Sequence, residues 1–309
     1  MKLKQILLTA LALTLPLAGA MAQQWTTNAL PPGLVAWWQA EGNFTETVSN
    51  LVTTPSGGPQ FVADGRIGQA VRFNGFTQWA RISSGGLARG RSEVTVAAWI
   101  RPRGSQGGSY TWGHVWFEST ASTYGGPDNY TRLSLVVDSG GTVRMVGRDS
   151  EDGTFFGVNS TNTIPSNTWT HIVGTWQAGE GLKLYLDGTL NNSLVVPALG
   201  PFTTSAANYV MIGASRPVAN DETFNGDVDD LMHFGRALTA AEVAYLHSGI
   251  PTLNIASAAD RVTLSWLAPA GWVLEGTNAL SATPPFVAGR ATDLSAQRRR
   301  DVGHVHQPS

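Results

Sequence analysis

Apolar and polar residues alternate along this chain in short bursts, and most bursts end at glycine, proline or asparagine. Alternation with a period of two places one set of side chains on one face of an extended strand. Residues 132–137 and 143–146 show it on either side of the turn Asp138-Ser139-Gly140-Gly141. Leu182, Leu184 and Leu186 share one face with Lys183 and Tyr185 on the other, and Asp187-Gly188 then turns the chain. Further strands are predicted at 35–39, 93–100, 169–176, 209–212 and 228–234. The runs at 70–73 and 79–82 flank Asn74-Gly75, a dipeptide that favours a hairpin. Many short strands spaced by turn residues predict an all-β, two-sheet antiparallel sandwich. Trp99 and Trp176 are expected between its sheets.

One helix stands out. Thr239 followed by Glu242 forms a capping box, Val243 and Leu246 have helical spacing, and Gly249 is a stop. A helix at that position closes a sandwich and brings no chemistry of its own.

Both ends of the chain depart from the strand pattern. Lys2 and Lys4 precede an apolar stretch from residue 6 to 20, and Ala20-Met21-Ala22 is a small-x-small cleavage site. Residues 1–22 read as a secretory signal peptide and 23–31 as a linker, so the mature protein is expected secreted, periplasmic or at the cell surface. Beyond the sandwich, residues 251–288 carry alternating Val262, Leu264 and Trp266 and read as part of a small β-sandwich module. Residues 289–309 show no strand period and read as a disordered tail.

Composition narrows the classes. Charged residues are 14% of 309, there are 35 glycines and 11 tryptophans, and cysteine is absent. The low charge argues against a coiled coil, and the apolar content against disorder. Without cysteine there are no disulfides, thiolate metal sites or thiol nucleophiles. A net charge of −2 offers no basic field for nucleic acid. Membrane insertion is not expected after the leader, and the protein is expected to be a monomer.

An ordered set of motifs then carries a resemblance. GLVAWWQAEGN (33–43), GRIGQAVRFNG (65–75) and VTVAAWIRP (94–102) come first. WTHIVGTW (169–176), LKLYLDG (182–188), VMIGAS (210–215) and FNGDVDDLMHFGRALTAAEV (224–243) follow. Together they resemble a laminin-G-like domain of the concanavalin A-like jelly-roll superfamily, of the bacterial exported type, over residues 32–250. The resemblance implies a jelly roll, and in relatives Ca²⁺ commonly sits near the sandwich edge. Glu41, Asn74 and Asp229 match the metal positions, although Asn74 stands where relatives often have Asp.

Five acids lie within residues 221–230: Asp221, Glu222, Asp227, Asp229 and Asp230. Clustered carboxylates could supply the oxygen ligands Ca²⁺ requires. The competing expectation pairs Asp229 and Asp230 with Arg236. For catalysis the chain offers little. Glycoside hydrolysis needs two carboxyls set across a cleft. Asp227 and Asp229 alternate without a third acid, Glu151-Asp152 lie in a turn, and neither G-x-S-x-G nor H-E-x-x-H occurs. Trp112, Trp116, Tyr124 and Tyr130 lie in or beside a Gly- and Ser-rich stretch, 104–130, expected to be a long loop. Aromatic faces on a loop can stack on sugars. The expectation is a non-catalytic module binding carbohydrate or an extracellular protein. The alternatives are a polysaccharide-active enzyme on the same fold, or a structural adhesive or spacer domain.

Overall fold

A computed structural model describes residues 30–106, 111–120, 131–150 and 153–248, together with the backbone of five later strands. The chain enters as β1 (Leu34–Trp38), β2 (Thr53–Ser56), β3 (Gln60–Val62), β4 (Ala70–Asn74) and β5 (Trp79–Ile82). The central strands are β6 (Glu93–Pro102), β7 (Trp112–Ser119), β8 (Thr131–Asp138), β9 (Val143–Gly147) and β10 (Phe156–Asn159). Then come β11 (Thr170–Gln177), β12 (Gly181–Leu186), β13 (Thr189–Val195), β14 (Tyr209–Ile212), β15 (Asn225–Phe234) and α1 (Ala240–Ser248).

These strands make two antiparallel sheets, consistent with a jelly-roll sandwich. The eight-stranded sheet runs β13-β12-β11-β6-β15-β4-β3, with β1 also paired to β15. The seven-stranded sheet runs β10-β9-β8-β7-β14-β5-β2. Strand β15 sits at the centre of the first sheet. One of its edges pairs with β6, and the other is shared by β4 along residues 225–228 and by β1 along 231–234.

The inward faces follow the alternation seen in the sequence. Val94, Val96, Ala98 and Ile100 of β6, Leu133, Leu135 and Val137 of β8, and Leu182, Leu184 and Leu186 of β12 meet in one core with Trp176. Trp99 departs from its expected place. It is buried, but it stands on the opposite face of β6 from Val96 and Ala98, against the rings of His171 and His247. The run Val94–Ile100 is buried throughout and apolar but for Thr95, because β6 is covered on both faces, so periodicity does not say which way Trp99 turns.

The hairpin expected around Asn74-Gly75 does not form. Strand β4 pairs with β15 and β3 in one sheet, whereas β5 pairs with β14 and β2 in the other. Asn74 starts a corner that carries the chain across the sandwich. Its Oδ1 accepts the N–H groups of Phe76 and Thr77, each at 2.9 Å, and Gly75 takes φ +70°. The same Asn-Gly chemistry that favours a hairpin also serves this crossing.

The helix is as expected. Thr239 N–H donates to Glu242 Oε2 at 2.8 Å, and Glu242 N–H donates to Thr239 Oγ1 at 3.3 Å. Val243, Tyr245 and Leu246 pack against Trp37, Tyr185, Met232 and Phe234 on the outer face of the eight-stranded sheet. Arg236 is engaged by Glu242, with Nη1 to Oε2 at 2.8 Å, and donates to Pro32 O. The expected pairing of Arg236 with Asp229 or Asp230 is therefore replaced by a helix-start contact.

Beyond α1, β16 (Leu253–Ala258) pairs with β17 (Arg261–Trp266), and β18 (Val273–Thr277) pairs with β19 (Val287–Ala288) and with β20 (Val302–His306). The tail expected to lack strands thus contains one. Five residues of Val-Gly-His-Val-His are too short and too polar for alternation to reveal it.

Candidate functional site

The five acids of 221–230 do not form one cluster, because the strand register and the preceding loop send them to separate partners. Asp221 pairs with Arg216. Glu222 lies 3.6 Å from His114 Nε2. Burial pushes the Glu222 carboxyl up, but its contacts with His114 outweigh this and hold it down at about 2. Asp227 is fully buried between Arg72 and Arg101.

Asp229 and Asp230 remain. Adjacent strand residues ordinarily point to opposite faces. Here a bulge between Asp229 and Met232, with Asp230 at φ +46°, brings both carboxylates to the outer face of the eight-stranded sheet. Asp229 Oδ2 accepts Ile67 N–H at 2.9 Å, and Asp230 Oδ1 accepts Trp37 Nε1–H at 2.8 Å. Asp229 Oδ1 and Asp230 Oδ2 are buried without a hydrogen-bond partner. Burial pushes both carboxyls well above the ordinary carboxylate range; Asp230 raises Asp229 further, and Glu41 adds to both.

Glu41 approaches from the turn after β1. Its Oε2 accepts Gln69 N–H at 3.1 Å, and Gly68, at φ +64°, leaves room for the carboxylate. A Cβ there would lie 2.1 Å from Glu41 Oε1. Asn74 is not part of this group. It pairs with Asn225, four residues before Asp229 on β15, or about 13 Å along the strand. Of the expected set Glu41, Asn74 and Asp229, the structure places Glu41 and Asp229 in one neighbourhood, with Asp230 beside them, and Asn74 apart. Among the described residues no three His, Asp or Glu side chains are gathered closely enough to hold a metal ion by themselves.

The aromatic residues divide as well. Stretch 104–130 is not one long loop, since β7 occupies Trp112–Ser119. Trp116 is 0% exposed, with its ring 5.7 Å from Trp38 and 5.4 Å from His233, and so presents no face to a ligand. Tyr124 and Tyr130 lie outside the described residues, as do Glu151 and Asp152. Trp112 is half-buried at the start of β7. The Arg144 guanidinium from β9 stands 4.0 Å from its ring centroid, and Arg144 Nε donates to Asn159 Oδ1 of β10 at 2.6 Å. Ring, cation and amide thus sit together on the outward side of the seven-stranded sheet. Alternation alone marks Arg144 as outward-facing. Its stacking on Trp112, two strands away, leaves no trace in the sequence.

Deeper on this face, Ser134 Oγ donates to Trp116 O at 2.7 Å, so His114 Nδ1–H is the donor in its 2.6 Å contact with Ser134 Oγ. The resulting Glu222–His114–Ser134 chain resembles a nucleophile triad in composition. Ser134, however, is 0% exposed and its lone proton is committed to a carbonyl, so the chain braces the loop before β15.

Comparison with known proteins follows this geometry. Residues 73–244 match the laminin-G-like family described as the concanavalin A-like lectin/glucanases superfamily. Human (Homo sapiens) adhesion G-protein coupled receptor D1 is 28% identical over 153 residues, 46% of this chain and 17% of the receptor. The chain thus spans about a sixth of that relative's length. Domain 4 of AbnA, a GH43 extracellular arabinanase from Geobacillus stearothermophilus in complex with arabinotriose, superposes with a TM-score of 0.55 at 21% identity. The match covers 70% of this chain and 98% of that domain. The binding domain of Paraclostridial Mosquitocidal Protein 1 superposes with a TM-score of 0.54 at 19% identity, covering 70% of this chain and 52% of the other. These structural likenesses establish the fold.

Proposed function

The chain belongs to the concanavalin A-like lectin/glucanases superfamily, and on that footing we propose that it is a non-catalytic recognition module that binds carbohydrate outside the cell. The observation that supports this reading is the Trp112–Arg144–Asn159 group. A half-exposed indole gives the C–H face of a sugar an apolar surface. The guanidinium and amide beside it offer hydrogen bonds to hydroxyls, and three strands of one sheet fix their spacing. The arabinanase domain and the toxin binding domain of the same fold give this reading its context.

The paired carboxylates support binding better than hydrolysis. Asp227 is locked by two guanidinium groups, and Asp229 and Asp230 are buried beneath the loop from Gly65 to Gln69. Neither arrangement leaves an acid and a base facing an open cleft, as glycoside hydrolysis requires. The test is a glycan array with the full chain and with Trp112→Ala. Binding that the substitution abolishes, with the melting temperature preserved, supports the reading. Equal binding by both proteins overturns this site.

A structural Ca²⁺ is a second element of the proposal, favoured by the orphaned oxygens of Asp229 and Asp230. Those two carboxylates would hold it, with main-chain carbonyls completing the oxygen set and the Glu41 charge adding to the attraction. When bound, the ion supplies positive charge to three crowded acids. Selective binding to the folded state stabilises it by ~2.7 kcal/mol at a hundredfold excess over Kd. Millimolar Ca²⁺ should therefore raise the melting temperature by several degrees, and Asp230→Asn should remove the rise. Identical melting curves in Ca²⁺ and in chelator would show that no ion is held.

A further inference from the structure

Beyond the cover of α1, the outer face of the eight-stranded sheet carries a row of side chains fixed by strand register. Gln60 of β3 pairs with Arg72 of β4, Arg72 with Asp227 of β15, and Asp227 with Arg101 of β6. Trp169 precedes β11, whose Thr170 pairs with Ile100, and so extends the row past Arg101. The Arg101 guanidinium lies 4.9 Å from the Trp169 ring centroid.

Charge in this row is uneven. Asp227, fully buried, accepts from Arg72 Nε at 2.6 Å, Arg72 Nη2 at 3.1 Å and Arg101 Nε at 2.7 Å. Arg103 Nη1 stands 4.0 Å away. One carboxylate thus faces three guanidinium groups. The second anion is Asp64, on the loop between β3 and β4, whose Oδ2 meets Arg101 Nη1 at 2.9 Å. Its side chain is 67% exposed, and those of Arg72 and Arg103 are 30% and 41% exposed. The Arg101 side chain is 13% exposed, so the Asp64 end of the pair alone lies in water, where screening weakens the contact. The Asp64 carboxylate therefore occupies an anion position from which an incoming carboxylate can displace it.

We propose that this row is a binding site for an acidic sugar, the uronic acid units of a polysaccharide, with Asp64 filling the carboxylate position in the free protein. Arg101, Arg72 and Arg103 receive the carboxylate, since guanidinium groups match carboxylate geometry. The half-exposed indole of Trp169 lies alongside for the C–H face of the sugar ring. Its Nε1 donates to Asp64 O at 3.4 Å, which ties the loop to the ring. With a net charge of −2 the protein offers no long-range attraction, so binding acts at contact range and is weakened by salt. The site lies on the opposite sheet from Trp112 and does not depend on the reading given there.

Calorimetric titration of the full chain tests it, with oligogalacturonate, neutral dextran oligomers and dextran sulfate of matched length, at low and high salt. Oligogalacturonate should bind, neutral dextran should not, and salt should weaken the complex. Arg103→Ala, at an exposed position, should weaken binding about tenfold, the equivalent of one charge-assisted hydrogen bond. Asp64→Asn should strengthen it several-fold by vacating the anion position. Arg81→Ala, an exposed arginine on the other sheet, should leave it unchanged. Absence of binding, weaker binding by Asp64→Asn, or indifference to Arg103→Ala overturns the site. Dextran sulfate binding as tightly as oligogalacturonate overturns the carboxylate assignment.

Discussion

The outer faces of the two sheets solve the same problem with different materials. On the eight-stranded sheet, the outward positions of β15 are acidic at Asp227, Asp229 and Asp230, and all three are buried. Guanidinium groups compensate the first, while main-chain and indole N–H groups meet one oxygen of each of the others. On the seven-stranded sheet the outward positions include Trp112, Ser134, Tyr209 and Met211, and its outward cations Arg144 and Arg81 lie over the rings of Trp112 and Tyr209. One face is closed by charge under a helix and a loop. The other keeps its cations stacked on rings near solvent. Buried charge tolerates little change once a partner is removed, whereas stacked side chains at a surface can be replaced at small cost and are free to meet a ligand.

Removing the carboxylate of Asp227 tests that contrast most severely. Asp227→Ala strands Arg72 and Arg101 and should cost ~3–5 kcal/mol. The melting temperature should then fall by roughly 10 °C in a domain of this size. An unchanged midpoint would show that charge does not close the eight-stranded face. A smaller effect is expected at the loop over Asp229. Gly68→Ala combines a left-handed backbone with a Cβ 2.1 Å from Glu41 and should cost ~1–3 kcal/mol. Hydrogen exchange at Ile67 and Gln69 should speed up with it, and unchanged protection there would mean that Glu41 and Asp229 do not hold the loop. On the other sheet Trp112→Ala should shift stability by no more than ~0.5 kcal/mol, as for ordinary surface positions. A loss comparable to that of Asp227→Ala would erase the distinction between the faces.

The contrast also marks where the sequence was legible. The inward faces of β8 and β12 are legible because Arg132, Ser134 and Lys183 stand between their apolar inward positions. The capping box of Thr239 and Glu242 is equally local. The central strands β6 and β15 are covered on both faces, so Trp99 and the acids of β15 could not be assigned a direction from periodicity. The bulge at Asp230 reverses one side chain, and a single aspartate with positive φ gives no warning of that. Asn74-Gly75 makes the turn its chemistry predicts but no hairpin, since partner choice depends on strands more than a hundred residues away. The metal positions inferred from resemblance were separated for the same reason. Glu41 and Asp229 share a neighbourhood through β1 and β15, while Asn74 lies at the far end of β4.

The pairing of β1 with β15 has an architectural consequence. Gly235 N–H donates to Gly33 O at 2.9 Å, and Arg236 Nε donates to Pro32 O at 2.7 Å. Where the sandwich begins, it also nearly finishes, with only the nine residues of α1, about 13 Å of helix, following. A unit whose two ends meet can be spliced into a surface loop of a host protein, or repeated as beads on a string, without pulling its host apart. By the same geometry, a circular permutant that joins the end of α1 to Leu30 through a short flexible linker and opens the chain between Gly179 and Glu180 should retain both sheets.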